Sequence, residues 1–164
     1  MRLLLTLDEG NYSPAMPVVE KTTVRALICR DGKYIMQRAG AGWYKIPGGG
    51  VEGDETHLQT LLREVEEEVG LRLIPGSLRA LGEILEKRED RKCPGQIFLR
   101  HSLYYSCDAE AEERPTHMTA SEIALGFRPA WATLEVIIAA NEALGYHDRD
   151  TDLLRLLRGG ALST

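Results

Sequence analysis

Glu64, Glu67 and Glu68 are the residues of this 164-residue chain whose types and spacing point most directly to chemistry. In a helix, at about 100° per residue, the three fall within one sector of about 100°. Glu64 stands i,i+3 to Glu67 and i,i+4 to Glu68, so their side chains are neighbours. Like charges at that spacing cost a helix roughly a few tenths of a kcal/mol per pair, and the C-terminal end of a helix disfavours anions. Stability alone does not select this arrangement. A divalent cation reverses the sign of the argument, because three carboxylates are the hard oxygen ligands that Mg²⁺ takes together with phosphates and water. Taken alone, Glu66-Glu67-Glu68 also reads as a solvated acidic helix face. The preceding segment changes that weighing. Trp43-Tyr44-Lys45-Ile46-Pro47-Gly48-Gly49-Gly50 delivers glycine-rich backbone directly ahead of the acidic helix. Glycine lets the chain approach a ligand closely and leaves carbonyls and N–H groups free for metal or phosphate.

These residues resemble a known family. Gly49, Glu55, Arg63, Glu64, Val65, Glu67, Glu68, Gly70 and Leu71 match the Nudix box, G-x5-E-x7-R-E-U-x-E-E-x-G-U with U aliphatic, at all nine defined positions. Pro47 to Glu52 looks like the usual run-up. The box covers 23 residues, and the wider resemblance, with strands before it and a tryptophan-bearing strand plus helix after it, spans most of the chain. The resemblance implies a Nudix fold, an α+β structure built as an α/β/α sandwich with a mixed β-sheet. It also implies a pyrophosphohydrolase dependent on Mg²⁺, with Mn²⁺ as the alternative cation, that cleaves a nucleoside diphosphate linked to another moiety by water attack on phosphorus. Glu67 and Glu68 would be metal ligands, and Glu64 a ligand or the base that orients water. The carbonyl of Gly48 would be a further ligand. Arg63 and Glu55 would pair to orient the carboxylates, as outer groups at metal sites do. Cations would stabilise charge on the transferred and leaving oxygens. Related enzymes often recruit another acid from a loop after the third or fourth strand. Glu122, nine residues before Trp131, is the candidate, with an ordinary surface glutamate as the alternative. Homodimers are frequent in the family, so a homodimer is one expectation.

Two other functions compete on the same fold. An isomerase of the isopentenyl diphosphate type would be expected to show a cysteine-centred or extra-acid motif near the box, and none is present there. A catalytically inactive binding or regulatory module would usually have lost box glutamates, and this chain keeps them.

Outside the box the signals are weaker. Arg38 precedes the glycine loop and is a candidate phosphate contact, or a surface cation. Arg100 and His101 share a strand and are candidates for the substrate cleft, but adjacent strand residues face opposite ways. His57, His117 and His147 have no partners at metal-ligand spacing and read as exposed. Trp43 and Trp131 read as packing residues before base-stacking ones. Asp150 with Asp152 reads as helix capping.

The acidic helix itself is expected over residues 56–69, where Leu58, Leu61, Leu62, Val65 and Val69 form one stripe at helical period and Gly70 is a stop signal. Ahead of it, residues 2–7 read as a short strand and Gly10 to Pro17 as a loop. Thr22 to Arg30 and Lys33 to Arg38 read as a hairpin about Asp31-Gly32. After it, strands are expected at about 79–88 and 96–107, an exposed acidic stretch at 108–115, and a last strand at 125–131. Two amphipathic helices follow, Thr133 to Leu144 and Thr151 to Leu157. Strands with a central helix and terminal helices suggest a mixed sheet covered by helices, in one domain across 1–164.

Composition fits that picture. The chain is 43% apolar and 27% charged, with a net charge of −5. Non-specific nucleic-acid and membrane-surface binders usually carry a basic excess, so a small-molecule substrate is expected, with neither nucleic acid nor membrane as partner. The apolar run at the N-terminus is too short for a signal-peptide core and meets Asp8 and Glu9 at once. Cys29, Cys93 and Cys107 are odd in number and lack CxxC spacing, which argues against structural zinc or a disulfide framework and for a cytoplasmic setting.

Overall fold

Alternation along one strand divides the molecule into two cores. In the computed structural model, which describes residues 1–146 and 148–162, β2 runs over Val18–Leu27. Val24 and Ala26 point to one side and Arg25 and Leu27 to the other. β2 lies parallel to β7 (Ile97–Ser106), β7 is antiparallel to β6 (Arg79–Glu89), and β6 is parallel to β1 (Leu3–Asp8). This is the expected mixed sheet, ordered β1-β6-β7-β2.

A second, antiparallel sheet joins β3 (Cys29–Arg30), β4 (Lys33–Arg38), β5 (Tyr44–Lys45) and β8 (Arg128–Ala132), with β8 paired to β4. Asp31 and Gly32 connect β3 to β4 with φ of 50° and 72°. Two successive left-handed residues are what a tight hairpin turn of this hand requires. The single strand expected over Thr22 to Arg30 is therefore two. It begins earlier, because pairing with β7 continues back to Val18, and its last residues belong to the second sheet.

Helix α1 (His57–Val69) covers one face of the first sheet. Its Leu61, Val65 and Val69 are buried with Val24, Ala26, Ile28 and Leu103. Full burial of each such side chain contributes about 1.5–3 kcal/mol. Helices α3 (Leu134–Ala143) and α4 (Arg149–Arg158) cover the other side, where Ile137, Ile138, Leu153 and Leu154 pack with Leu27, Ile84, Tyr104 and Ile46. The result is the α/β/α sandwich. Short α2 (Ala120–Ala124) and strand β5 were not expected from the sequence, since neither is long enough to show a period. The capping expectation is also corrected. Asp148 is the N-cap of α4, taking the Thr151 N–H at 3.0 Å, whereas Asp150 is buried in the core. Among the described residues no helix is long and apolar enough to cross a membrane.

Candidate active site

The acidic helix is fixed at both ends by its own sequence. Thr56 and Gln59 form a reciprocal capping box at the start. Gly70 ends it at φ 68°, its N–H returned to the Glu66 carbonyl, and a Cβ there would collide with the Arg114 carbonyl. The apolar stripe then faces the sheet, and the glutamates are carried to the edge where the glycine loop runs.

That loop is bonded onto β2 as an additional extended segment. Val24 N–H donates to the Gly49 carbonyl at 2.9 Å, Ala26 N–H to Pro47 at 2.9 Å, and Val51 N–H to Thr22 at 3.1 Å. Gly48 has φ 133°, and a Cβ on it would overlap the Val24 carbonyl. A Cβ on Gly49 would overlap the Glu64 carboxylate. The glycines are required because backbone presses on Gly48 and a carboxylate on Gly49.

Each box acid has a distinct setting. Glu68 is 3% exposed and accepts from the Gly48 N–H at 2.6 Å, with Lys45 Nζ at 3.3 Å. Burial pushes its carboxyl up to about 7, against the pull of Lys45 and Arg25. Glu64 accepts from Arg63 Nη1 at 2.7 Å. Glu67 is the open one, its side chain 44% exposed and 3.9 Å from Arg63. Its carboxyl is raised by desolvation, opposed by Arg63 and reinforced by Glu64 and Glu122. Arg63 holds Glu55 in a two-point grip, Nε to Oε1 at 2.9 Å and Nη2 to Oε2 at 2.8 Å. With Thr60 adding a hydroxyl at 2.9 Å, Glu55 is drawn down to about 2, chiefly by Arg63. The Glu55–Arg63 pair therefore exists as a braced unit that delivers Arg63 to Glu64.

Glu122 comes to the same place from the other side. It sits in α2, where its carboxylate takes the Thr119 N–H at 2.9 Å and hydroxyl at 2.8 Å. Burial would raise its carboxyl, but Thr119, Lys45 and a hydrogen bond with Glu68 hold it below the usual range. Thus Glu64, Glu67, Glu68, Arg63 and Glu122 are brought together. Two residues that the sequence reading did not single out join them. Lys45 neutralises Glu68, and Arg25 donates to the carbonyls of Gly48 and Ile46. Arg25 is a charge between the apolar residues Val24 and Ala26, the one signal that could have marked it. Beneath it Asp150 accepts from the Tyr104 hydroxyl at 2.8 Å and the Ile46 N–H at 3.3 Å, 4.0 Å from Arg25 Nε.

The Gly48 expectation is modified by this. Its carbonyl is engaged by Arg25, so a cation there would share the oxygen with a guanidinium. Among the described residues no three Asp, Glu, His or Cys side chains converge on one point as a metal cage. The donor chemistry nevertheless fits a hard cation: three carboxylates on one helix edge, a fourth in Glu122, and bare backbone against Glu64.

The remaining candidates separate. Arg38 lies over the Tyr44 ring, 5.8 Å from its centroid, at the entry to the glycine loop. Arg100 points to the α4 side of the sheet, 3.6 Å from Glu86. His101 faces the other way, bonded to Glu83 at 2.6 Å. His57 is not simply exposed, since its Nδ1 meets the Tyr105 hydroxyl at 2.7 Å; His147 lies outside the described residues. Both tryptophans pack, Trp43 stacked on Tyr146 at 4.1 Å and Trp131 bonded to Glu113 with Arg30 over its ring.

Comparison with known proteins bears on the family and the fold. A family model described as the NUDIX domain matches residues 19–154. An RNA pyrophosphohydrolase from Xylella fastidiosa (strain 9a5c) is 28% identical over 80% of this chain and 55% of its own length. A CTP pyrophosphohydrolase from Escherichia coli (strain K12) is 41% identical over 48% of this chain and 57% of its own. The chain thus spans little more than half the length of these two relatives. In fold it is similar to a NUDIX hydrolase from Nitrosomonas europaea, with a TM-score of 0.63 at 21% identity, covering 87% of this chain and 90% of that one.

Proposed function

The chain belongs to the NUDIX family, and from that premise we propose that it is a Mg²⁺-dependent hydrolase of the diphosphate bond in a nucleotide-type substrate. One observation carries the reading: Glu64 and Glu68 press against the glycine loop, with Glu67 and Glu122 beside them. Glu64, Glu67, Glu68 and the Gly48 carbonyl would hold the cation, with Mn²⁺ able to replace it. When bound, it supplies neutralisation of the charge on the transferred and leaving oxygens.

The chain's own groups do the rest. Arg63, braced by Glu55, fixes the Glu64 carboxylate. Glu67 is the acid open to solvent and so the one a substrate meets. Glu122 or Glu64 takes the proton of the attacking water, Glu122 being kept ionised by Thr119 and Lys45. Lys45 and Arg25 keep buried positive charge behind the acids, which lets several carboxylates coexist. Arg38 contacts substrate at the aromatic entrance beside Trp43. The names of the relatives, which act on CTP and on RNA, support a nucleotide-type substrate, and the net charge of −5 favours a small one over a polymer. The same reading takes residues 1–164 as one domain, acting in the cytoplasm and free to pair as a homodimer.

The test is product release from a panel of nucleoside triphosphates, nucleotide sugars, ADP-ribose, dinucleoside polyphosphates and a triphosphorylated RNA oligonucleotide. Turnover should require Mg²⁺ or Mn²⁺ and stop in chelator. Full turnover in metal-free buffer, or saturable binding without turnover of any member, would overturn it.

A further inference from the structure

A cluster of guanidinium groups stands apart from the box glutamates, on the face of the first sheet that α4 covers. Arg100 of β7 pairs in register with Glu86 of β6, and Arg149 opens α4 above them. Together with Arg88 they border a cavity of about 300 Å³. Glu86 lies 2.8 Å from Arg88, 3.6 Å from Arg100 and 3.7 Å from Arg149. One carboxylate faces three guanidinium groups.

The other acids at this cavity are already engaged. Glu9 binds Arg91 at 2.7 Å, and Asp148 takes both the N–H and the hydroxyl of Thr151 at 3.0 Å. Among the described residues Arg100 and Arg149 make no hydrogen bond, and the Nε of each is buried without an acceptor. A buried donor left without an acceptor costs roughly 1–3 kcal/mol. Two such groups side by side are a poor solution for stability alone. Arg88 and Arg100 are nevertheless held in place, both lying on the Phe98 ring at 4.6 and 4.8 Å. Guanidinium forks that are fixed in position and short of acceptors match the oxygens of a phosphate, which accepts two parallel N–H groups from each.

The cavity lies on the same face of the sheet as one support of the site, with buried Arg25 and Asp150 between them. Arg25, on the same face, reaches the Gly48 carbonyl and lies 4.0 Å from Asp150, the residue after Arg149. Along the sheet, Arg25 pairs with Tyr104 and Arg100 stands four residues before it. At about 3.3 Å per residue that is roughly 13 Å.

We propose that this cavity is a second anion subsite, in which Arg100 and Arg149 hold a phosphate group of the substrate other than the diphosphate that is cleaved. The proposal deepens the hydrolase reading and rests on it. It narrows the substrate to nucleotide derivatives that carry an additional phosphate beyond the scissile linkage.

Binding can be separated from turnover by working in chelator. Thermal melting of the full chain is followed against inorganic phosphate at constant ionic strength, then against ADP-ribose and its 2′-phosphate. Phosphate should raise Tm of the wild type, and the phosphorylated ligand should bind at least tenfold more tightly than the plain one. Arg100→Gln and Arg149→Gln should each weaken phosphate binding at least tenfold and bring the ligand ratio close to one. Arg149, on the first residue of a helix, serves if the Arg100 variant fails to fold. Glu67→Gln should keep the phosphate response. No phosphate response, or one in both arginine variants equal to that of the wild type, overturns the subsite. A phosphate response without preference for the phosphorylated ligand reduces it to a site for free anions and overturns its role in substrate choice. If the subsite behaves as expected but no phosphate-bearing ligand is cleaved with Mg²⁺, it is the hydrolase reading that has failed.

Discussion

Asp150 is a residue whose removal the structure penalises heavily. It is 1% exposed and accepts from the buried Tyr104 hydroxyl at 2.8 Å and the Ile46 N–H at 3.3 Å, with Arg25 at 4.0 Å. Asp150→Ala leaves a hydroxyl and an amide without an acceptor, at roughly 1–3 kcal/mol each, and strips a buried guanidinium of its counter-ion, at about 3–5 kcal/mol. These costs overlap, because water entering the space left by the side chain would serve all three groups. The expected loss is therefore about 3–5 kcal/mol. Asp150→Asn keeps an acceptor for Tyr104 and should lose about half as much. The pH dependence has a definite sign. Burial works to raise this carboxyl, but Arg25, Arg149 and the Tyr104 hydroxyl hold it below its ordinary 3.8. Its contribution is thus complete above pH 3.8 and is lost only as pH falls through the lower, folded value. Urea unfolding at pH 7 should show the midpoint fall with the slope unchanged, and the deficit should shrink below pH 4. Because Arg25 bonds the Gly48 and Ile46 carbonyls, the Asn variant should also lose kcat under conditions where it is fully folded. A deficit under about 1 kcal/mol for Asp150→Ala would refute the claim that this buried pair supports the glycine loop.

Glu67→Gln should melt within a degree or two of the wild type in chelator, since that side chain is half-exposed, yet lose at least about 100-fold in kcat; a variant with full activity would return Glu67 to the surface. Glu122→Gln keeps an acceptor for Thr119 and hence the cap of α2, so steady-state kinetics should show a fall in kcat of about 100-fold without a stability change. Asp148→Asn preserves a good N-cap but removes a carboxyl that burial, and then the charge of Asp150, push up to about 6. That raised value means the wild type loses stability as pH climbs from 3.8 through 6, so the variant should gain on it over that window, by on the order of 1–3 kcal/mol at pH 7. Urea midpoints at pH 4 and pH 7 check this, and an unchanged difference between them refutes it.

How much of this was legible in the sequence depended on whether the signal was local. Helix α1 was readable to within a residue because its stripe and the Gly70 stop are local signals. The β3–β4 hairpin was readable from Asp31-Gly32 alone. Glu64, Glu67 and Glu68 announced themselves by spacing, and their family resemblance named Arg63 and Glu55 as partners. The supports of the site were not legible. Lys45 reaches Glu68 across 23 residues, and Arg25 and Asp150 meet from strands and helices far apart in sequence. Asp150 looked like a cap because first-turn aspartates usually are. Only the packing of α4 onto Tyr104 turns it inward. Arg100 was legible as a strand residue, but which way it faced depended on a register that no local pattern fixes.

The parallel pairing of β2 with β7 has a consequence for how the chain is made. Val18 meets Ile97, roughly 80 residues later, so β2 leaves the ribosome with its sheet partner still untranslated. At about 5–20 residues per second that interval is roughly 4–16 s. Through it the strand carries Val24 and Ala26 without the neighbour that will complete its hydrogen bonding. What does arrive in time is nearer. The 47–51 segment bonds the edge of β2, and α1 covers its apolar face. During synthesis the glycine loop and acidic helix can therefore serve as an internal chaperone for the strand beneath them. A released fragment ending at residue 71 should protect the β2 amides from exchange, and one ending before residue 47 should not.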